Sequence, residues 1–172
     1  MAEVAIAPLG ECARWSLRLP FALSGKTTEL AGFRVAMEMN RASQDGERLS
    51  ARLGPDEWLL CAVDADAAEK IEALLAGEHH SLVDVAHRYA GFCVAGPQAA
   101  AVLAAGCPLD LHPAAFGAGS ATRTLLGKAE IILWRLQEAP SYRVECARSF
   151  APYVGAFLEE AAREWREAHP GF

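Results

Sequence analysis

Apolar positions in this chain recur at two spacings, three to four residues in some segments and two in others. Phe150, Val154, Phe157, Leu158, Ala161 and Trp165 form a helical stripe, with Glu159 and Arg163 placed to pair on the wet face. Ser149 is the expected cap of this helix, and Pro152 is tolerated in its first turn. Ala67, Ala68, Ile71, Leu74 and Leu75 repeat the pattern in a helix from an Asp64 cap to about Ala76, with Gly77 at its end. A third, shorter helix is expected over 97–105, with Pro97 in its first turn and Gly106 as a left-handed cap.

Strand-like runs lie between these helices. Arg48–Leu53 and Glu57–Val63 flank GPDE, a turn with Pro at its second position, and so predict a hairpin. Thr122–Leu126 and Glu130–Arg135 flank Gly127-Lys128, a two-residue hairpin turn. Leu82–Ala86, Gly91–Ala95 and the alternating Tyr142–Cys146 read as further strands, and Arg14–Pro20 as another. Leu30–Asn40 is apolar but fits either helix or strand. Short turns demand antiparallel neighbours, so the fold class is α+β: antiparallel sheets covered by helices, in a single domain over 1–172. Tyr89–Leu109 is apolar enough to cross a bilayer, but Gly96-Pro97 breaks its middle. A strand, a turn and a buried helix describe it better.

Composition adds boundaries. The net charge is −6 and no basic stripe exists, which argues against a nucleic-acid surface. Cys12, Cys61, Cys93, Cys107 and Cys146 are odd in number and widely spaced, with no CxxC pair. They read as reduced thiols in a cytoplasmic protein rather than a disulfide framework or a zinc site. Glu3 stands where a signal peptide would carry a cation, so neither export nor a membrane partner is expected.

Candidate chemistry gathers in CPLDLHP, residues 107–113. Cys107, Asp110 and His112 lie within six residues and offer a nucleophile, an acid and an imidazole. As a metal site they supply three ligands with no fourth nearby. The competing reading is a helix-exit loop in which Cys107 packs and Asp110 accepts backbone N–H bonds, and spacing alone favours it. His79-His80 reads as an exposed turn. His87-Arg88 suits either an anion or a turn between strands. Trp58, Trp134 and Trp165 are candidates for an interface or for the core in equal measure. No GxGxxG, GxxxxGK[ST], HExxH or GxSxG occurs, so no dinucleotide or metal site is expected on this chain.

From residue 53 the chain resembles the gamma subunits of heterotetrameric sarcosine oxidases. The resemblance is carried by LGPDEWLL (53–60), VDVAHR (83–88), AGPQAAAVLAAGCPLDLHPAAF (95–116), RTLLGKAEIILWR (123–135) and RSFAPYVGAFLEEA (148–161). Residues 1–52 match weakly, Ala86 stands where the family pattern has Ser, and 117–119 is looser than usual. The resemblance implies a fold like the folate-binding domain of the glycine cleavage T-protein. It implies alpha, beta and delta partner subunits carrying FAD, FMN, NAD, zinc and tetrahydrofolate, and a gamma chain with no cofactor and no catalytic residue. It also aligns Asp110 with the T-protein aspartate beside the reacting folate nitrogen, while Leu109 replaces that family's Asn. Asp110 is therefore the one catalytic candidate, in a chain about half the length of a T-protein. The alternatives are a free-standing folate-binding, one-carbon protein using Asp110 and, more weakly, a cysteine-dependent enzyme built on Cys107.

Overall fold

A computed structural model describes residues 4–20, 28–64 and 66–167. In chain order the strands are β1 (Ala5–Pro8), β2 (Ala13–Arg18), β3 (Glu29–Leu30), β4 (Phe33–Arg34), β5 (Ala42–Asp45), β6 (Arg48–Arg52), β7 (Glu57–Ala62), β8 (Ser81–Asp84), β9 (Tyr89–Ala95), β10 (Ser120–Leu126), β11 (Ala129–Arg135) and β12 (Ser141–Ala147). The helices are α1 (Ala67–Leu74), α2 (Ala99–Ala104) and α3 (Ala151–Glu167). Contacts divide the chain into two units, residues 11–87 and residues 1–10 with 88–172. Each unit holds one five-stranded sheet whose pairings are all antiparallel. The α+β expectation is therefore met.

The 11–87 unit orders its sheet β5-β6-β7-β2-β8. The GPDE hairpin forms as the turn residues predict, and Leu53 N–H donates to the Glu57 carbonyl at 2.9 Å. Ala67, Ile71 and Leu75 bury one side of α1 among Trp15, Leu17, Phe33, Trp58 and Leu60. Asp64 does not cap this helix. It pairs with Arg48, and Asp66 holds the N-cap position without a side-chain capping bond. Leu74 is 62% exposed, because it lies to one side of the stripe centred on Ile71 and the helix closes at Leu75.

Part of the ambiguous 30–40 segment resolves into a small hairpin. Leu30 pairs with Phe33 across Ala31 and Gly32, both at positive φ, +49° and +81°. A two-residue turn of this kind favours Asn-Gly, and alanine is strained in it. Ala31→Asn is expected to raise stability by about 0.5 kcal/mol, on the scale of that strain. A lowered urea midpoint would contradict this.

The other unit orders its sheet β1-β9-β12-β11-β10. Strands β10 and β11 join through Gly127-Lys128 as expected, with Leu126 opposite Ala129 and Gly127 at φ +59°. The alternation along β12 points Tyr142, Val144 and Cys146 into a core shared with Val102, Leu103, Val154 and Leu158. Strands β8 and β9 are consecutive but do not pair. Asp84 Oδ1 accepts the Ala86 N–H at 2.8 Å, a 3₁₀ turn spans Ala86–Arg88, and the chain leaves one sheet for the other. The apolar 89–109 run is β9, a turn at Gly96 (φ +120°) and α2. No helix among the described residues is long and apolar enough to cross a membrane.

Three local expectations fail here. Pro97 precedes α2 instead of entering it. Gly106 is not left-handed; it is small because a Cβ there would lie 2.4 Å from the Phe157 ring and 2.9 Å from Gly127 N. Ser149 falls inside a 3₁₀ turn, Arg148–Phe150, that precedes α3, and this turn leaves Phe150 43% exposed.

Candidate functional site

The loop after α2 is built on its own backbone. Asp110 Oδ1 accepts the His112 N–H at 2.9 Å, and His112 Nδ1 accepts the Ala114 N–H at 3.2 Å. The His112 carbonyl accepts N–H bonds from Ala115 and Phe116, each at 2.8 Å. Leu111 and Phe116 anchor the loop by burial, and Leu109 packs half-buried on the same core. Cys107 is buried, with the Thr124 hydroxyl 3.9 Å from its sulfur. The three chemistry-bearing side chains are thus not brought together. Asp110 and His112 engage neighbouring amides on an exposed surface, while Cys107 points toward β10.

Arg135 closes the far end of this loop, a role that a strand residue does not announce in sequence. It is 4% exposed. Its Nη1 donates to the Phe116 carbonyl at 2.9 Å and its Nη2 to the Glu138 carbonyl at 3.1 Å, and its own carbonyl accepts the Gly119 N–H at 2.7 Å. The guanidinium lies 5.7 Å from the Tyr142 ring centroid. Burial pushes the Tyr142 hydroxyl pKa up, with the Arg135 charge opposing.

Other candidates resolve separately. All five cysteines are free thiols. Burial, and then the neighbouring Glu145 charge, push Cys146 up to about 11, which removes its thiolate at neutral pH. His79 is exposed. No group of three His, Cys, Asp or Glu side chains that could hold a metal occurs among the described residues. Trp58 and Trp134 are fully buried and serve the core, not an interface, whereas Trp165 is half-buried against the core of the 1–10 and 88–172 unit. His87 and Arg88 are exposed in the 3₁₀ turn.

His80 reaches the Glu78 carbonyl at 2.9 Å and Glu72 Oε2 at 2.8 Å. The carbonyl, and then the carboxylate, raise its pKa above the ordinary 6.5. A raised folded-state pKa gives stability that is fully present below the unfolded value and lost as pH rises through the folded value. The stability difference between wild type and His80→Gln is therefore expected to be larger at about pH 5.5 than at about pH 8.5. Equal differences at the two pH values would contradict this.

The chain is similar to proteins of known family. A family model described as sarcosine oxidase, gamma subunit family matches residues 22–164, so the match reaches upstream of residue 53. Sarcosine oxidase subunit gamma of Corynebacterium sp. (strain U-96) is 35% identical over 117 residues, 67% of this chain and 57% of that protein. Sarcosine oxidase subunit gamma of Arthrobacter sp. is 38% identical over 91 residues, 52% of this chain and 45% of that one. The chain thus spans about half the length of the curated relatives it matches. A chain of the heterotetrameric sarcosine oxidase from Corynebacterium sp. U-96, solved in complex with pyrrole 2-carboxylate, superposes with a TM-score of 0.85 at 27% identity, covering 98% of this chain and 88% of that one. Glycine cleavage system aminomethyltransferase T from Bartonella henselae shares the fold, with a TM-score of 0.69 at 16% identity over 91% of this chain and 45% of that protein. By the family match over most of its length, the chain belongs to the sarcosine oxidase gamma subunit family.

Proposed function

We propose that this chain is a non-catalytic subunit of a heterotetrameric sarcosine oxidase, assembled with alpha, beta and delta partners in the cytoplasm. The complex would oxidise the N-methyl group of sarcosine, yield glycine and hydrogen peroxide, and pass the one-carbon unit to tetrahydrofolate. FAD, FMN, NAD, zinc and tetrahydrofolate would sit on the partner subunits. The observation carrying this reading is the superposition on a chain of such an oxidase along nearly the whole of both chains.

The residues here do not fit a dinucleotide. The strand–turn–helix at β9 and α2 is the nearest candidate, but the Gly96 N–H donates to the Pro140 carbonyl at 2.9 Å and the helix has only six residues. Asp110 supports the same reading, because its carboxylate holds the backbone of its own loop.

The test is Asp110→Asn in the assembled complex, with peroxide measured without folate and methylene-folate measured with it. One acceptor oxygen remains, so the loop bond, worth about 1 kcal/mol, is largely kept. The expected result is an unchanged ratio of the two rates. A fall of about a hundredfold in folate-dependent product alone, the scale of a lost acid–base group, would favour the one-carbon alternative in which Asp110 does chemistry.

A further inference from the structure

The turn from α1 to β8 is closed by a histidine whose two ring nitrogens both face acceptors. His80 Nδ1 lies 2.9 Å from the Glu78 carbonyl, and Nε2 lies 2.8 Å from Glu72 Oε2 on α1. A carbonyl and a carboxylate offer no hydrogen, so the ring satisfies both contacts only as imidazolium, with a proton on each nitrogen. A neutral ring carries one N–H. It must give up one contact and turn a lone pair toward an oxygen. The side chain is 13% exposed, so water replaces the lost bond only in part. The strand that follows is lightly held. β8 is the edge of its sheet and pairs with β2 alone. Ser81, Val83 and Asp84 are exposed, and half-buried Leu82 is its contact with the core of the 11–87 unit. Its far end is tied by Asp84 to the Ala86 N–H and by the Val85 N–H to the Arg14 carbonyl. Its near end has His80.

We propose that His80 is a proton-operated latch. As imidazolium it ties Glu72 of α1 to the turn and holds the near end of β8, and loss of its proton to solvent lets the turn and β8 open locally while the rest of the unit stays folded. The turn presents the Glu78 carbonyl to the ring and α1 presents Glu72. No other charged group among the described residues acts on it, those of β8 included. The carbonyl first, and then the carboxylate, hold the proton on above the ordinary 6.5. The latched state therefore binds a proton that the open state, with a solvated imidazole, releases. Opening is rarest below the ordinary value and grows more frequent as pH rises through the latched one. A short edge strand with one packed side chain is where such local opening occurs ahead of global unfolding.

Hydrogen exchange of the full chain, corrected for the intrinsic rate at each pH, tests the latch. Between about pH 6 and about pH 9, protection of the Glu78 and β8 amides is expected to fall at least about threefold, while the β7 amides keep theirs. His80→Gln, whose side chain does not titrate, is expected to show the unlatched protection at both pH values. Glu72→Gln, at a half-exposed position, should shrink the change. The ring reads the latch directly. At pH 6.5, where an ordinary imidazole is half-charged, the nitrogen-15 signals of His80 should show the doubly protonated form in the majority, assigned by their loss in His80→Gln. Equal protection at the two pH values in the wild type, or the same fall in His80→Gln, overturns the latch. So does a His80 ring that titrates at or below the ordinary value. A fall shared by β7 is global unfolding and overturns it as well. If His80→Gln does not fold, Glu72→Gln and the ring titration decide. None of these outcomes bears on the subunit reading.

Discussion

Trp58→Ala is expected to destabilise the 11–87 unit by about 4 kcal/mol, the scale of removing a buried tryptophan. The side chain is fully buried, and its Nε1 donates to the Ala36 carbonyl at 2.8 Å. The Arg52 guanidinium stacks 4.8 Å from its ring. Arg52 in turn donates to the carbonyls of Met37, Gly54 and Pro55, so the indole supports the cation that fastens the GPDE turn. Losing the ring leaves a cavity, an unpaired Ala36 carbonyl and a loosened turn together. Trp58→Phe keeps most of the volume and loses the hydrogen bond, and should cost about 1–2 kcal/mol. Urea unfolding followed by far-UV circular dichroism measures both. A loss below about 1 kcal/mol for the alanine variant would show that the indole is not the support described here.

Glu145→Ala is the second large effect, expected at about 3–5 kcal/mol. Removing one member of a buried ion pair leaves the other charge poorly solvated. Glu145 is fully buried on β12 and Arg143, two residues away on the same face, holds its Oε1. Arg143→Leu should cost less, because its side chain is 16% exposed and the remaining carboxylate keeps its other contacts. The double variant Arg143→Leu/Glu145→Leu should cost less than the sum of the single changes, since two apolar groups remove both charges at once. Strict additivity in this cycle would show that the two side chains act independently.

Which features the sequence announced follows from how local their causes are. The hairpins at GPDE and Gly127-Lys128 were legible because the turn residues themselves set the backbone. Asp110 was legible as a loop-shaping residue for the same reason, since its partner is two residues away. Gly106 was misread because its cause is a Phe157 ring fifty-one positions downstream. Arg52 and Arg135 were missed as carbonyl clamps because their partners are set by the approach of loops, which strand periodicity does not encode. Trp58 and Trp134 were undecided because aromatic content alone does not separate core from interface. Asp64 was a reasonable cap by type, but an Arg48 brought close by the β6–β7 hairpin claimed it.

Assembly is the central claim, and the mass of the assembled particle tests it most directly. The chain would be co-expressed with alpha, beta and delta subunits, and the product passed through size-exclusion chromatography with light scattering at micromolar concentration. The account predicts that the chain elutes inside a peak whose mass equals the sum of one copy of each of the four subunits. A peak at the 18.4 kDa of the free chain, beside partners that have assembled without it, would contradict the account.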